Sequence, residues 1–263
     1  MKIVWTAHNI GAHDSLAHPD LEEKYWSRVA SRLSALISLS HSGVEALRTR
    51  YPSLRTVPSF VTAHGHYRAV YSRTVSRDEA RRQLGIAGDA KVISFIGQVR
   101  PYKNLPALLR AFRSLTDPAC AVLIAGKVKL GDKRKEIDDL VAADSRVKMF
   151  SQFVPADEMQ LYLEAADLIV LPFRETLNSG SAILALSFDR PVLVPRAGSL
   201  VDLSRQIGDD WVMTYDGDLT PTVLSESLSR ALTMRDKTAP LDSLEWSHIA
   251  RQTRDIYRSL VER

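Results

Sequence analysis

The sequence predicts an α/β protein built around a doubly wound parallel sheet, and three observations predict it. Short apolar runs and helical segments alternate from Lys91 to the last quarter of the chain, joined by short connections. The stretch KVISFIGQVRPYKNLPALLRAFRSL, Lys91 to Leu115, reads as strand, glycine turn and helix in immediate succession. Ahead of it, MKIVWTA and ALISL are two more strand-like runs, each followed by a helical segment.

In chain order, Met1 to Ala7 reads as a strand that starts on the first residue and so lacks upstream neighbours for its sheet. A polar loop with His8, Asn9, His13 and His18 follows, and these spacings do not match a helical metal pair. A helix is predicted from about Leu21 to Leu33, a strand over Ala35 to Leu39 and a helix from Ser42 to Tyr51. The block from Thr56 ends in His64-Gly65-His66-Tyr67. Ser76 with Glu79 three residues later is a capping-box pattern that opens a short helix to Leu84.

Val92 to Ile96 is an apolar block of the kind buried on both faces of a parallel sheet, and Gly97 ends it. Asn104 is placed to cap a helix whose apolar positions are Leu105, Leu108, Leu109 and Phe112, with Pro106 tolerated in its first turn. Strand 121–125 precedes a helix near 133–143, strand 147–150 a helix over 156–165, and strand 168–171 a Ser/Gly loop and a helix over 181–186. Strands over 192–194 and 211–215 and a helix over 221–234 complete the alternation. Beyond a polar linker, a terminal helix from Leu244 to Val261 carries Trp246, Ile249, Ile256, Tyr257 and Leu260 as its apolar positions.

A loop between a strand end and a helix start presents free backbone N–H groups and the positive end of a helix dipole. Arg100 and Lys103 add two cations to the loop after Gly97, which suits a diphosphate. Such loops are also basic merely because they are solvated, and both readings stand at this point.

The composition, 45% hydrophobic and 25% charged over 263 residues, is that of an ordinary globular chain holding one large domain or a domain and a half. A net charge of +4 is too slight to argue for nucleic acid. The excess is uneven, however: Arg48, Arg50, Arg55, Arg68, Arg73, Arg77, Arg81 and Arg82 crowd one region. Such a patch faces anionic lipid, a phosphorylated acceptor, or water. Cys120 is the only cysteine, which excludes an intrachain disulfide and fits a reducing, cytoplasmic setting. Lying in CAVLIAG, it reads as a buried strand residue. No apolar run has the length of a membrane span, so any membrane contact is expected to be peripheral, at the inner face.

The order of FIGQVRPYKN, AVLIAG, VKMFSQFVPADEMQLYLEAADLIVLPF and NSGSAILALSFDRPVLVP resembles the C-terminal half of glycosyl transferases group 1, the retaining glycosyltransferases often called family 4. Upstream, WTAHNI, ALISLSHS and AHGHY resemble the last third of the acceptor domain in bacterial exopolysaccharide transferases. The resemblance implies a GT-B fold: a complete Rossmann-like C-terminal domain over 87–240, a partial Rossmann-like acceptor-side domain over 1–86, and a terminal helix over 241–263 that returns toward the first domain. It implies transfer of a sugar with retention, from a UDP- or GDP-linked donor to a saccharide or lipid-linked acceptor in surface polysaccharide assembly, without a metal or other cofactor.

The residue roles are implied in the same way. Gly97 and Lys103 match the donor-diphosphate motif; Gln98 stands where the family usually has arginine, and Arg100 is the candidate substitute. Gly126 matches the glycine ending the second strand, and the Phe153-Val154 backbone the segment holding the base. His8 resembles an acceptor-domain histidine near the transferred sugar. Of the family's two glutamates eight residues apart, Glu175 lies close to the first position, whereas counting back from Pro191 puts Thr176 there and Leu184 at the second. Asn178, Ser179, Gly180 and Ser181 open the next helix, either as a plain N-cap or as phosphate ligands.

A full acceptor domain runs to ~150 residues. Three accounts of the short front are a start codon placed too far downstream, a natural split in which a second polypeptide supplies the absent strands, or a degenerate gene product that binds without catalysing; the alternative function is a non-catalytic nucleotide-sugar-binding or partner subunit, inactive without the missing portion. The second predicts an exposed apolar edge at Ile3, Val4 and Trp5 that pairs with its partner.

Overall fold

A computed structural model describes residues 2–9, 18–129, 134–174 and 178–262. Among them lie two parallel sheets. The first has β1 (Val4–Ala7), β2 (Ala35–Ser38) and β3 (Ser59–Val61) in the order β1-β2-β3, with α1 (Pro19–Ala30) and α2 (His41–Arg50) between strands. Leu36, Val44, Leu47, Tyr51 and Leu54 form its core. Ser40 caps α2 by accepting from the Gly43 N–H at 3.1 Å.

The second sheet is six-stranded. It comprises β4 (Lys91–Ile96), β5 (Cys120–Ala125), β6 (Val147–Phe150), β7 (Leu168–Val170), β8 (Val192–Pro195) and β9 (Val212–Tyr215) in the order β6-β5-β4-β7-β8-β9. Every pairing is parallel. Chain order therefore reverses between β4 and β7, and a doubly wound sheet opens a crevice at the carboxyl ends of the strands flanking such a switch.

Alternation along β4 explains its burial on both faces. Ile93 and Phe95 point into a core made by α4 (Leu105–Arg113), α5 (Arg134–Ala142) and α9 (Pro221–Leu232). Ile96 and Val92 point the other way, toward α6 (Met159–Ala165) and α7 (Gly180–Ser187). α3 (Arg77–Gln83), capped by Ser76 at 3.3 Å from the Glu79 N–H, precedes residue 87 yet packs with this second sheet: Ala80, Leu84 and Ile86 share a core with Val92, Leu123 and Tyr162. Cys120 is buried at the start of β5.

Four expectations need correction. The first strand is four residues long and not seven, because Val4–Ala7 is the length that pairs with Ala35–Ser38. β1 is the edge strand of the described sheet and Ile3 is exposed there, but the Trp5 side chain is not an open apolar face: it is half-buried and stacks on Trp26 with ring centroids 4.8 Å apart. A further helix, α8 (Ser199–Ile207), follows β8 where none was expected, although its apolar positions Leu200, Leu203 and Ile207 fall at helical spacing. Asn104 sits at the N-cap of α4 with φ +52° and makes no side-chain cap; it turns a 3-10 segment, Pro101–Lys103, into the helix.

The arginine-rich region is also not one open basic patch. Arg48 and Arg82 pair with Glu45 and Glu79 on their own helices, and Arg50 with Glu23. Arg68, Arg73, Arg77 and Arg81 turn inward onto Asp189, Glu164 and Asp167 of the second sheet's packing. The terminal helix α10 (Trp246–Val261) starts against residues 65–66, where Trp246 Nε1 donates to the His66 carbonyl at 2.8 Å and the His66 N–H donates to the Leu244 carbonyl at 3.1 Å. Of its expected apolar face, Ile249 and Leu260 are buried, while Trp246 and Tyr257 remain exposed over about half their surface.

Candidate functional site

The switch point between β4 and β7 gathers most of the sequence-predicted residues. Gly97 leaves β4 at φ +93°, a conformation that side chains disfavour. A Cβ there would stand 3.0 Å from Lys103 Nζ and 3.4 Å from Ser181 Oγ. One turn, one lysine and one helix N-terminus thus meet at a single spot. Gly126, ending β5 at φ +149°, backs this turn so closely that a Cβ would lie 2.1 Å from the Gly97 carbonyl oxygen.

Lys103 is only 8% exposed, and its ammonium lies 5.4 Å from the Phe173 ring centroid. Burial, with Arg100 nearby as a second cause, pushes its pKa down to about 8. Among the described residues no carboxylate pairs with it. A buried cation with no counterion among the described residues favours an external anion, since ligand charge offsets the desolvation that folding imposed. Arg100 Nε donates to Gln98 Oε1 at 2.7 Å, so the glutamine at the family's arginine position orients the arginine two residues on.

On the facing side, Ser179 Oγ caps α7 by accepting the Ala182 N–H at 3.1 Å, which occupies the hydroxyl and leaves the first-turn N–H groups of Gly180 and Ser181 at the positive end of the helix. Asn178 Nδ2 donates to the His8 carbonyl at 2.8 Å, so His8 reaches the site through its backbone, from the first sheet. Glu175, Thr176 and His13 lie outside the described residues. Phe153 is 74% exposed on the loop after β6, and Val154 is buried with Ala80 and Tyr162; no described contact joins either to Lys103. Leu184, one turn along α7, packs on the apolar core beside β7 and β8.

Two residues given no role from sequence also belong here. Tyr67 Oη stands 3.2 Å from where a Cβ on Gly180 would be, and 3.3 Å from His64 Nε2. His64 Nδ1 is 2.8 Å from the Gly65 carbonyl, which can only accept, so that nitrogen carries the proton and, in the neutral ring, Nε2 accepts from Tyr67. Burial raises the Tyr67 pKa, keeping it a donor. The HGHY block was visible in the sequence, but nothing local signals that it faces Gly180. Beyond His64, Asp202 Oδ2 on α8 accepts from the Ser42 N–H at 3.1 Å and hydroxyl at 3.0 Å, joining the two halves. A cleft of about 490 Å³ lies beside this junction, lined by His41, Arg205, His248 and Gln252 among others.

Residues 76–204 match the family described as Glycosyl transferases group 1. Over 264 aligned residues the chain is 28% identical to GDP-mannose:glycolipid 4-beta-D-mannosyltransferase of Xanthomonas campestris pv. campestris, covering 99% of this chain and 68% of that protein. It is 30% identical over 182 residues to D-inositol 3-phosphate glycosyltransferase of Mycolicibacterium smegmatis, covering 66% of this chain and 41% of the relative. Among solved structures, Anabaena HepE in complex with UDP superposes with a TM-score of 0.74 at 18% identity, covering 98% of this chain and 72% of that one. Sucrose-phosphate synthase from Thermosynechococcus elongatus gives 0.73 at 18% identity, covering 98% and 68%. At such identities the structural likeness speaks for the fold, which is GT-B.

Proposed function

We propose that the chain transfers a sugar from a nucleoside-diphosphate donor to a saccharide or lipid-linked acceptor in surface polysaccharide assembly. The observation that carries this is the convergence of Gly97, Lys103 and Ser181 at the sheet's switch point. A leaving diphosphate gains charge as the glycosidic bond breaks, and a lysine ammonium, Arg100 and the α7 N–H groups stabilise that charge without a metal. Glu175 positions sugar hydroxyls and His8 lies toward the acceptor side. Gly126 backs the donor turn at Gly97, and the Phe153-Val154 backbone holds the base.

The base is uracil or guanine; a GDP-linked hexose is the first donor to test, because the relative aligned along nearly the whole chain is named for GDP-mannose. Transfer with retention follows from the family resemblance. Inversion is the second reading, favoured by that relative's name, since a 4-beta-D-mannoside made from α-linked GDP-mannose has the opposite anomeric configuration. The proposed units are an acceptor side over 1–86, from which α3 is excepted because it packs on the second sheet, a donor side over 87–240 and a returning helix over 241–263. A second chain pairing on the open edge of β1, and peripheral contact with the inner membrane face, complete the proposed setting; among the described residues no helix is long and apolar enough to cross a membrane. The comparisons lend no support to a non-catalytic subunit.

The test is titration of the purified chain with GDP, UDP and their hexose conjugates, followed by product analysis of the anomeric linkage. Binding of a nucleoside diphosphate that Lys103→Ala abolishes, and sugar transfer dependent on the same residue, are expected. Binding unaffected by Lys103→Ala would sink the reading.

A further inference from the structure

At the opposite end of the second sheet, the amino ends of β4 and β7, six guanidinium groups meet three carboxylates: Arg77, Arg81 and Arg235 on Asp167, Arg73 and Arg190 on Glu164, and Arg68 with Arg73 on Asp189. The strand between the two ends is six residues long, so this cluster stands about 20 Å from Gly97.

Asp167 is the centre. It is buried, and Oδ2 accepts from the Val92 N–H at 2.8 Å and from Arg81 Nη2 at 3.1 Å. Arg81 is equally buried and spends its remaining donors on the Ala165, Gly88 and Ala90 carbonyls. Asp167 Oδ1 takes two guanidiniums at once, Arg77 through Nη2 and Arg235 through Nε. One carboxylate charge thus faces three arginines, with Asp78 a further acid near Arg81. Arg77 and Arg235 are 23% and 34% exposed in their side chains. Arg77 Nε and Nη1, and both Nη atoms of Arg235, have no hydrogen-bond partner among the described residues. Burial, with Arg81, Arg235 and Arg190 adding to it, holds the Arg77 pKa below its usual value even though Asp167 touches it.

Two partly exposed guanidiniums pinned to one oxygen, each with two nitrogens that no described residue engages and with a local excess of positive charge, form a preorganised fork for an oxyanion. We propose that Arg77 and Arg235 form a second anion site, distinct from the diphosphate cradle, that takes a phosphate dianion. The pinning by Asp167 fixes both groups before the ligand arrives, so little side-chain entropy is lost on binding. The same chemistry is offered by a free phosphate and by a lipid headgroup.

Isothermal titration of the full chain carrying Lys103→Ala with inorganic phosphate, at ionic strength held constant with chloride, reads this cluster with the cradle's lysine removed. One phosphate per chain is expected, weakened at least about tenfold by Arg235→Gln and less by Arg235→Lys, as the loss of a charge-assisted hydrogen bond requires. Arg77→Gln should act in the same direction; if it fails to fold, the more exposed Arg235 carries the test. Sedimentation with vesicles containing phosphatidic acid, whose phosphomonoester can carry two charges, and with phosphatidylcholine vesicles separates the sources. Retention on the first alone, lost in Arg235→Gln, supports the site with a headgroup as its phosphate; binding of free phosphate without retention supports it with a soluble one. No phosphate binding and no retention, or binding that Arg235→Gln leaves unchanged, overturns the proposal.

Discussion

Lys103 Nζ lies 3.0 Å from the point where a Cβ on Gly97 would stand. The glycine's missing side chain is therefore the space the lysine occupies, and the backbone there has φ +93°. Gly97→Ala should displace the ammonium and strain the turn together. Nucleoside-diphosphate affinity is expected to fall at least about tenfold, the loss of one charge-assisted contact, with overall helix content by circular dichroism unchanged. Unaltered affinity would show that Lys103 is not a donor ligand.

The lowered Lys103 pKa gives this binding a pH signature. With a value of about 8, the ammonium is charged at neutral pH and loses its proton within the accessible alkaline range. Affinity for a nucleoside-diphosphate sugar, whose phosphates do not titrate in this range, should hold constant below pH 7 and decline as pH rises past about 8, one proton being taken up with each ligand bound there. Lys103→Arg, whose guanidinium does not titrate there, should flatten the decline. For stability the sign is opposite to that of an ion pair. The folded pKa lies below the unfolded value of 10.5, so the unfolded chain binds more protons between the two and the free protein gains stability as pH climbs from about 8 toward 10.5. Lys103→Met should accordingly raise stability by about 1–2 kcal/mol at pH 7 while weakening donor binding, measurable by urea unfolding beside ligand titration.

Much of this was legible in the sequence because it is local. Val92–Ile96, Gly97 and the Leu105/Leu108/Leu109/Phe112 stripe announce strand, turn and helix through residue type and spacing alone, and the structure places them so. What was not legible depends on partners distant in sequence. The arginines between Arg68 and Arg81 read as a basic surface because their acids, Glu164, Asp167 and Asp189, lie 86 to 121 residues on. Tyr67 is named by no local pattern, since its place beside Gly180 depends on how the two sheets meet. Asn104 has the residue type of a cap, yet the preceding 3-10 turn puts it in the left-handed region instead.

Removing the acid at the centre of that arginine cluster should be severe. Asp167→Ala leaves three guanidiniums facing one another and strips the Val92 N–H of its acceptor. Breaking a buried pair on one side typically costs about 3–5 kcal/mol. A loss of that order is expected in denaturant unfolding, with Asp167→Asn milder because an amide oxygen still accepts from Val92. A cost below about 1 kcal/mol, the level of exposed ion pairs, would mean the cluster is solvated and not structural.

The seam between the terminal helix and the first sheet supplies the last prediction. A Cβ on Gly65 would fall 2.2–2.6 Å from three atoms of the Trp246 indole, so glycine is required for the ring to lie where its Nε1 reaches the His66 carbonyl. Gly65→Ala must therefore either push the indole off or shift the backbone between His64 and Tyr67. Overpacking of this kind costs about 1–3 kcal/mol, and displaced Trp246 should show red-shifted emission. Trimming the ring relieves the clash, so the double variant Gly65→Ala/Trp246→Ala should be no less stable than Trp246→Ala by itself. Because His64 and Tyr67 flank this glycine and lead to Gly180, the single variant should also weaken diphosphate binding. The double variant should recover it in part, an outcome that a purely local packing defect at α10 would not produce.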